Sequence, residues 1–251
     1  MINIKNSSDN KINIVRINAW KIHFLWLHND GWLSLQEFNR HAKKAGSVFT
    51  VQNSYFGNAE LYHIDLNSYE SIHIFNCHLQ NIIPVNVKWN FNLKAYQGIK
   101  ADYLRELFRQ LKNVCAKNMD KIGQLQFEKM EMLFYSNQLS WKKNFQDWFI
   151  LKSNQISNNH GLSWLRPLTW LISLTLIFYT IINHISGSFY CYHIGKYLYF
   201  LMPFHNIDDI LCFEVSKLTH RNWVYFWDIT QRLASSYFIF QFLRAFRKFV
   251  S

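Results

Sequence analysis

Residues 164–182 read WLRPLTWLISLTLIFYTII, and this stretch decides the class of protein. Its only charged residue, Arg166, lies near the start, and about 20 mainly apolar residues are enough for a helix to cross a bilayer. A second stretch, residues 223–245, reads WVYFWDITQRLASSYFIFQFLRA and places Asp228 and Arg232 among apolar residues. Charges in such a stretch are costly when they face lipid. The sequence predicts two transmembrane helices, at about 164–184 and 223–245.

The charge of the chain is positive but evenly spread. Its 251 residues include 27 Lys and Arg against 16 Asp and Glu, a formal net charge of +11. Acidic residues are interleaved with the basic ones and no basic run forms, which argues against nucleic acid as a partner. Near a bilayer such a charge favours anionic headgroups, so the lipid bilayer is the predicted partner.

Basic residues flank both apolar stretches and predict their orientation. These residues are Lys142, Lys143, Lys152 and Arg166 before the first stretch, and Arg244, Arg247 and Lys248 towards the end of the second. Basic flanks tend to remain in the cytoplasm, so both termini are predicted to be cytoplasmic, at a bacterial inner membrane. The polar opening MINIKNSSDNKINI contains no apolar core of a signal peptide, which agrees with this orientation.

Residues 1–48 are predicted to form strands and a capping helix. Apolar and polar residues alternate within residues 12–26, which indicates extended strands. Ser34 and Glu37 have the spacing of a capping box, and the helix that they would open ends at Gly46.

The next segment, residues 49–99, repeats its apolar residues every five positions. One phase runs through Phe49, Ser54, Ala59, Ile64, Tyr69, Ile74 and Leu79, and a second through Val51, Phe56, Leu61 and Leu66. Five residues per step is the period of a pentapeptide repeat, in which four steps make one coil of a right-handed β-helix. The sequence predicts a short, degenerate solenoid, and the alternative is an irregular β-rich segment with a chance spacing.

Residues 100–160 change to a helical period and are predicted to form a cytoplasmic connector. Asp120 is placed to cap the second of three helices, and the polar residues 153–161 form a break before the membrane domain, residues 161–251. Apolar stripes mark the three helices. The stripes begin near Leu104, Ile122 and Trp141.

Four short segments resemble a known family. They read FRQLK at 108–112, DKIGQLQFEKMEM at 120–132, ISNNHGLSWLRPL at 156–168 and AFRKF at 245–249. From about residue 49 onwards, the chain is similar to the carboxy-terminal part of bacterial membrane proteins that carry pentapeptide repeats, some of which are channel-like. The resemblance implies a mixed α and β membrane protein with a short pentapeptide-type right-handed β-helix, an α-helical connector, two transmembrane helices and a basic tail.

Polar residues form one stripe on each predicted membrane helix. The first stripe holds Thr169, Ser173, Thr180, Asn183 and His184, and the second holds Asp228, Gln231, Arg232 and Ser235. Such stripes commonly mark helix packing in lipid, and Asp228 and Arg232 can partly neutralise each other at i, i+4. The alternative is the lining of a water-filled path in a homo-oligomer, since two helices cannot enclose a pore alone.

No catalytic, cofactor-binding or metal-binding motif is found in the sequence. The histidines show no ligand spacing, and there is no glycine-rich phosphate loop. Cys191 and Cys212 could pair if the loop that carries them faces an oxidising compartment. A soluble pentapeptide protein that mimics DNA conflicts with the positive charge and the apolar stretches.

These observations predict a non-enzymatic, membrane-anchored interaction or scaffold protein. Its cytoplasmic repeat domain would bind a protein partner that the sequence does not identify. The alternative is a channel-like, homo-oligomeric protein that conducts ions and is gated by its cytoplasmic domain.

Overall fold

The computed structural model describes residues 5–6, 11–17, 19–38, 46–79, 81–187, 193–211 and 214–247. The chain divides into two compact units, Met1–Leu151 and Lys152–Ser251. The first unit combines parallel β-sheets with α-helices, and the second is helical. The architecture of the described residues is therefore an α/β fold followed by a helical unit.

Parallel strands form the frame of the first unit. The described strands are β1 (Lys5–Asn6), β2 (Lys11–Val15), β3 (Lys21–Leu25), β4 (His28–Asn29), β5 (Trp32–Gln36), β6 (Val48–Gln52), β7 (Asn58–Tyr62), β8 (Ser71–Phe75) and β9 (Asn81–Val85). They pair in the orders β2-β5-β7-β9, β3-β6-β8 and β1-β4, and every pair is parallel. The seven five-residue strands, β2, β3, β5, β6, β7, β8 and β9, alternate along the chain between the two larger sheets.

Each five-residue strand is followed by a residue with left-handed backbone. These residues have φ between 49° and 61° and are Arg16, Trp26, Glu37, Asn53, His63, Asn76 and Asn86. Alternate members of this set lie beside one another, so that the Nδ2 of Asn76 donates to the Oδ1 of Asn53 at 2.6 Å. Asparagine tolerates this conformation better than most residues, which suits it to the turns.

The predicted pentapeptide β-helix is wrong. The strands are parallel sheet strands, of which β7 and β8 bury alternate side chains, and Val48 pairs with Ser71 across a separation that is not a multiple of five. The same separation of 23 residues joins Asn53 to Asn76. The residues that the five-residue period selects are nevertheless buried, because strand alternation and the turns between strands place them in the core.

The predicted capping helix is also wrong where it can be compared. Ser34 lies inside β5 with a fully buried side chain, and its Oγ accepts from the Nε2 of Gln36 at 2.8 Å. Glu37 is the left-handed residue after that strand, and so it cannot occupy a first helical turn. Ala42 and Ala45, which the helix would include, lie outside the described residues.

The helices of the first unit agree with the apolar stripes. They are α1 (Ala101–Lys117) and α2 (Lys121–Gln138), which pack on each other, followed by α3 (Phe145–Asn158) at the boundary of the units. The predicted cap is confirmed, since the Oδ1 of Asp120 accepts from the amide of Gly123 at 2.9 Å. The polar break begins only after Asn158, so residues 153–158 are helical.

After α3, the described residues of the second unit form four α-helices. They are α4 (Leu165–Ser186), α5 (Ile194–Leu201), α6 (Ile207–Leu211) and α7 (Arg221–Phe246). The helices α4 and α7 are antiparallel, because Trp164 contacts Phe246 at one end while Phe178 contacts Trp227 towards the other. Both predicted helices therefore exist and lie close to their predicted positions.

The prediction of two transmembrane helices is wrong. Among the described helices, only α4 is long and apolar enough to cross a membrane. Charged and amide side chains interrupt the apolar residues of α7, notably at Asp228, Gln231, Arg232 and Gln241.

Candidate functional site

The predicted polar stripe of α4 lies on the exposed side of the helix. Thr169, Ser173, Thr180 and His184 are all exposed. The hydroxyls of Thr169 and Thr180 donate to carbonyl oxygens of their own helix, each at 2.8 Å. Of the predicted stripe only Asn183 is buried, on a face that it shares with Leu171, Thr175, Tyr179 and Ile182.

The predicted polar stripe of α7 is buried within the unit. Asp228, Gln231 and Ser235 have little exposure, and Arg232 is half-buried. The structure thus brings the four α7 residues together, but it does not bring the four exposed α4 residues to them.

A histidine that the sequence did not single out completes the α7 cluster. The Nε2 of His205 lies 2.7 Å from the Oδ1 of Asp228, and the Nε of Arg232 donates to the Oδ2 at 2.9 Å. The guanidinium of Arg232 also donates to the carbonyl oxygen of His205 at 2.8 Å. Each carboxylate oxygen of Asp228 therefore has a partner, although its side chain is only 5% exposed.

Both ring nitrogens of His205 have hydrogen-bond partners. The Nδ1 lies 2.6 Å from the carbonyl oxygen of Met202, and the Nε2 faces the carboxylate of Asp228. These contacts hold the imidazole on both sides of its ring.

Gln231 continues the polar row beyond the charged cluster. Its Nε2 donates to the carbonyl oxygen of Phe200 at 2.8 Å and to the Oγ of Ser235 at 2.7 Å. Two buried oxygens, the Oε1 of Gln231 and the Oδ1 of Asn183, have no hydrogen-bond partner among the described residues. These hydrogen bonds hold α7 against residues 200–205. The cluster therefore serves the packing of this unit.

A cleft of about 680 Å³ in the first unit is a separate site that the sequence did not indicate. It lies where the turns after β3, β6 and β8 face helix α1. Its aromatic and imidazole rings belong to Trp26, His28, Tyr55, Phe75, His78 and Tyr103. Its principal polar side chains belong to Asn53, Ser54, Asn76, Glu106 and Gln110.

Parallel bridges place three of these rings in a column. His28, Tyr55 and His78 pair in turn, and the ring centroids of each neighbouring pair are 5.4 Å apart. Trp26 stands beside this column with a side chain that is 70% exposed. The cleft therefore offers exposed aromatic surface, which folding alone does not require.

Gln110 holds one wall of the cleft in place. This residue of α1 is buried, and its Oε1 accepts from the amide of Leu79 at 2.8 Å. Its Nε2 donates to the carbonyl oxygen of Cys77 and to the Oε1 of Glu106, each at 3.1 Å. Burial raises the pKa of the Cys77 thiol, so at neutral pH this group is a protonated thiol rather than a nucleophilic thiolate.

The described residues contain no cluster of three His, Cys, Asp or Glu side chains that could hold a metal ion. Cys191 and Cys212, whose pairing was considered from the sequence, lie outside the described residues.

Compared with family models, curated proteins and solved structures, the chain matches none of them. Its resemblance to the pentapeptide-repeat membrane family therefore stays a prediction.

Proposed function

We propose that the protein is a membrane-attached binding protein, held at the bilayer by α4 and binding a ligand in the cleft of its first unit. The observation that carries this proposal is the exposed apolar surface of α4. Its 22 residues would extend about 33 Å, enough for a hydrocarbon core of about 30 Å.

The low burial of α4 supports contact with lipid. A core helix of a soluble protein can be equally apolar, but such a helix is mostly buried. Only 28% of the most apolar part of α4 is buried within the protein. Large apolar side chains, among them Ile172, Leu176 and Ile177, are exposed instead.

Neighbouring helices extend the same apolar surface. On α7, the exposed side chains include Phe226, Ile229, Leu233, Phe240 and Leu243. Soluble monomers rarely expose apolar patches larger than a few hundred Å², so water is a poor solvent for this unit. Lipid would cover the surface without a protein partner.

The binding role is supported by the cleft of the first unit. Its volume of about 680 Å³ lies within the range of about 300 to 1,000 Å³ that is usual for small-molecule sites. As in the prediction from the sequence, the proposed role is non-enzymatic. Binding in the cleft requires only its aromatic and hydrogen-bonding groups.

Extraction of membranes tests the attachment. The full chain should stay in the membrane pellet after washing with alkaline carbonate. Replacement of Ile177 by Lys places a charge on the exposed face of α4, which costs about 2.5 to 3.5 kcal/mol at the centre of a bilayer and should increase extraction.

Ile122→Lys is the matched control, because Ile122 lies on α2 in the first unit and is similarly exposed, at 59% against 51% for Ile177. This variant should be retained like the unchanged protein. Release of the unchanged protein by carbonate, or equal behaviour of the two variants, would contradict attachment through α4.

The channel-like alternative has less support. Asp228, Gln231 and Ser235 are buried within a single copy of the chain, where they hydrogen-bond to neighbouring groups instead of facing an open path. Ion conduction, homo-oligomerisation, a protein partner and a location in the bacterial inner membrane with cytoplasmic termini all stay predictions.

A further inference from the structure

We propose that the cleft of the first unit binds a neutral oligosaccharide. This inference rests on the proposed function, because it names the ligand of the cleft in a protein taken to be a binding protein.

The charges of the cleft favour a neutral ligand. Among the described residues that line it there is no lysine or arginine, whereas phosphate-bearing ligands and nucleic acids require cationic grooves. Glu106 is the one carboxylate among these described residues, and Arg109 pairs with it. The cleft therefore lacks the unpaired carboxylate that a cationic ligand would need.

The spacing of the rings disfavours a planar base inserted between them. Such a base needs about 7 Å between two rings, twice the contact distance of about 3.5 Å. The rings of His28, Tyr55 and His78 are separated by only 5.4 Å, and those of Phe75 and Tyr103 by 6.1 Å. A ligand must lie on the outer surfaces of these rings.

Trp26 is the residue that points most directly to a ligand. Its φ of 56° is the left-handed backbone of the turns in this fold, which Arg16, Glu37 and His63 share at the equivalent positions. What distinguishes Trp26 is its exposure of 70%, which exceeds that of Tyr55 and Tyr103 in the same cleft. Stacking on a bound ligand would give this exposed ring a role.

A saccharide fits the resulting combination of groups. A pyranose ring has an apolar face of C–H groups that packs on one aromatic ring, and a rim of uncharged hydroxyls. The amides of Asn53 and Asn76 and the carboxylate of Glu106 can donate to or accept from such hydroxyls. Exposed aromatic rings at Trp26, Tyr55 and Tyr103 offer several places for successive sugar rings.

Calorimetry with the full chain in detergent tests this assignment. The probes are maltohexaose, cellohexaose and N-acetylchitohexaose, with adenosine and a thymidine oligonucleotide as rival ligands. At least one hexasaccharide should bind, and Trp26→Ala should weaken that binding at least about 10-fold. Trp26→Phe, which keeps an aromatic ring, should restore most of the affinity.

Trp32→Ala is the matched control, because Trp32 is an exposed indole on β5 that does not line the cleft. It should leave the affinity unchanged, and thermal denaturation should confirm that all variants fold. Absence of binding to every hexasaccharide, equal binding by Trp26→Ala, or Trp26-dependent binding of adenosine or the oligonucleotide alone would overturn the proposal.

Failure of this inference is distinguishable from failure of membrane attachment. Binding is measured in detergent, where the location of α4 does not matter, whereas attachment is measured by extraction from membranes.

Discussion

Both units of this chain have an apolar core, but they differ in where they place their polar side chains. In the first unit, side chains such as Leu33, Ile72 and Phe127 are fully buried in an apolar core. In the second unit, α7 buries Asp228 and Gln231 while its apolar side chains are largely exposed.

This difference underlies the proposal that the second unit contacts lipid. Burial of apolar surface stabilises the first unit in water, as in ordinary globular domains. In the proposed function, lipid covers the exposed apolar side chains of the second unit, and buried polar side chains of α7 such as Asp228 hydrogen-bond within the unit.

A charge placed in the core of the first unit should unfold it. Leu66 is 4% exposed, and Leu66→Asp would bury an unpaired carboxylate, with an expected loss of more than about 4 kcal/mol in the free energy of unfolding. Thermal denaturation followed by circular dichroism measures the loss. Asn67→Asp, at the neighbouring exposed position, should change stability by less than about 0.5 kcal/mol.

Similar tolerance at both positions would mean that the first unit is not built around an apolar core.

Removal of a buried carboxylate should destabilise the second unit, because the groups that hydrogen-bond to it lose their partner. Asp228→Ala leaves Arg232 and His205 without their shared carboxylate, which should cost about 3 to 5 kcal/mol. Thermal unfolding in detergent measures this loss. Asp209→Ala removes an exposed carboxylate of α6 and serves as the control.

If Asp209→Ala proved as harmful as Asp228→Ala, the buried cluster would have no special role in packing α7.

The dry core of the first unit should also make stability depend on pH. Burial, with a smaller contribution from Asp120, raises the pKa of Cys115 from 9.0 to about 12. The unfolded chain therefore releases this proton at lower pH than the folded chain, so stability is lost as pH rises from about 9 towards 12. Between pH 8 and pH 10, unfolding should become easier by about 1.4 kcal/mol through this group.

Cys115→Ala removes the titrating group and isolates its contribution. Chemical denaturation at both pH values should give a smaller pH dependence for this variant than for the unchanged protein. An identical dependence would show that Cys115 is not held in a dry environment.

Local patterns in the sequence predicted the helices better than the topology of the sheets. The apolar stripes near Leu104 and Ile122 lie on observed helices, and Asp120 caps as its position predicted. The five-residue period identified buried residues, but it did not predict parallel pairs such as Val48 with Ser71. Strand register depends on partners distant in the chain, which periodicity does not report.

The candidate sites were harder to predict than the fold, because their residues are distant from one another in the sequence. The i, i+4 spacing was sufficient to pair Asp228 with Arg232, but His205 lies in the connection between α5 and α6 and carries no such signal. The helical wheel of α4 selected Thr169 and Ser173, which are exposed, because it could not indicate which face would meet α7. The cleft combines turns and a helix, and no single segment could reveal it.

Fluorescence quenching by lipid tests most directly the claim that the second unit contacts the bilayer. Trp170 on α4 and Trp32 on β5 are similarly exposed, at 41% and 44%. The emission of each indole is obtained by subtracting the emission of the Trp170→Phe or Trp32→Phe variant from that of the unchanged protein. In bilayers of lipids with brominated acyl chains, the contribution of Trp170 should be strongly quenched and that of Trp32 should not. Equal quenching of the two contributions, or none at Trp170, would contradict the account.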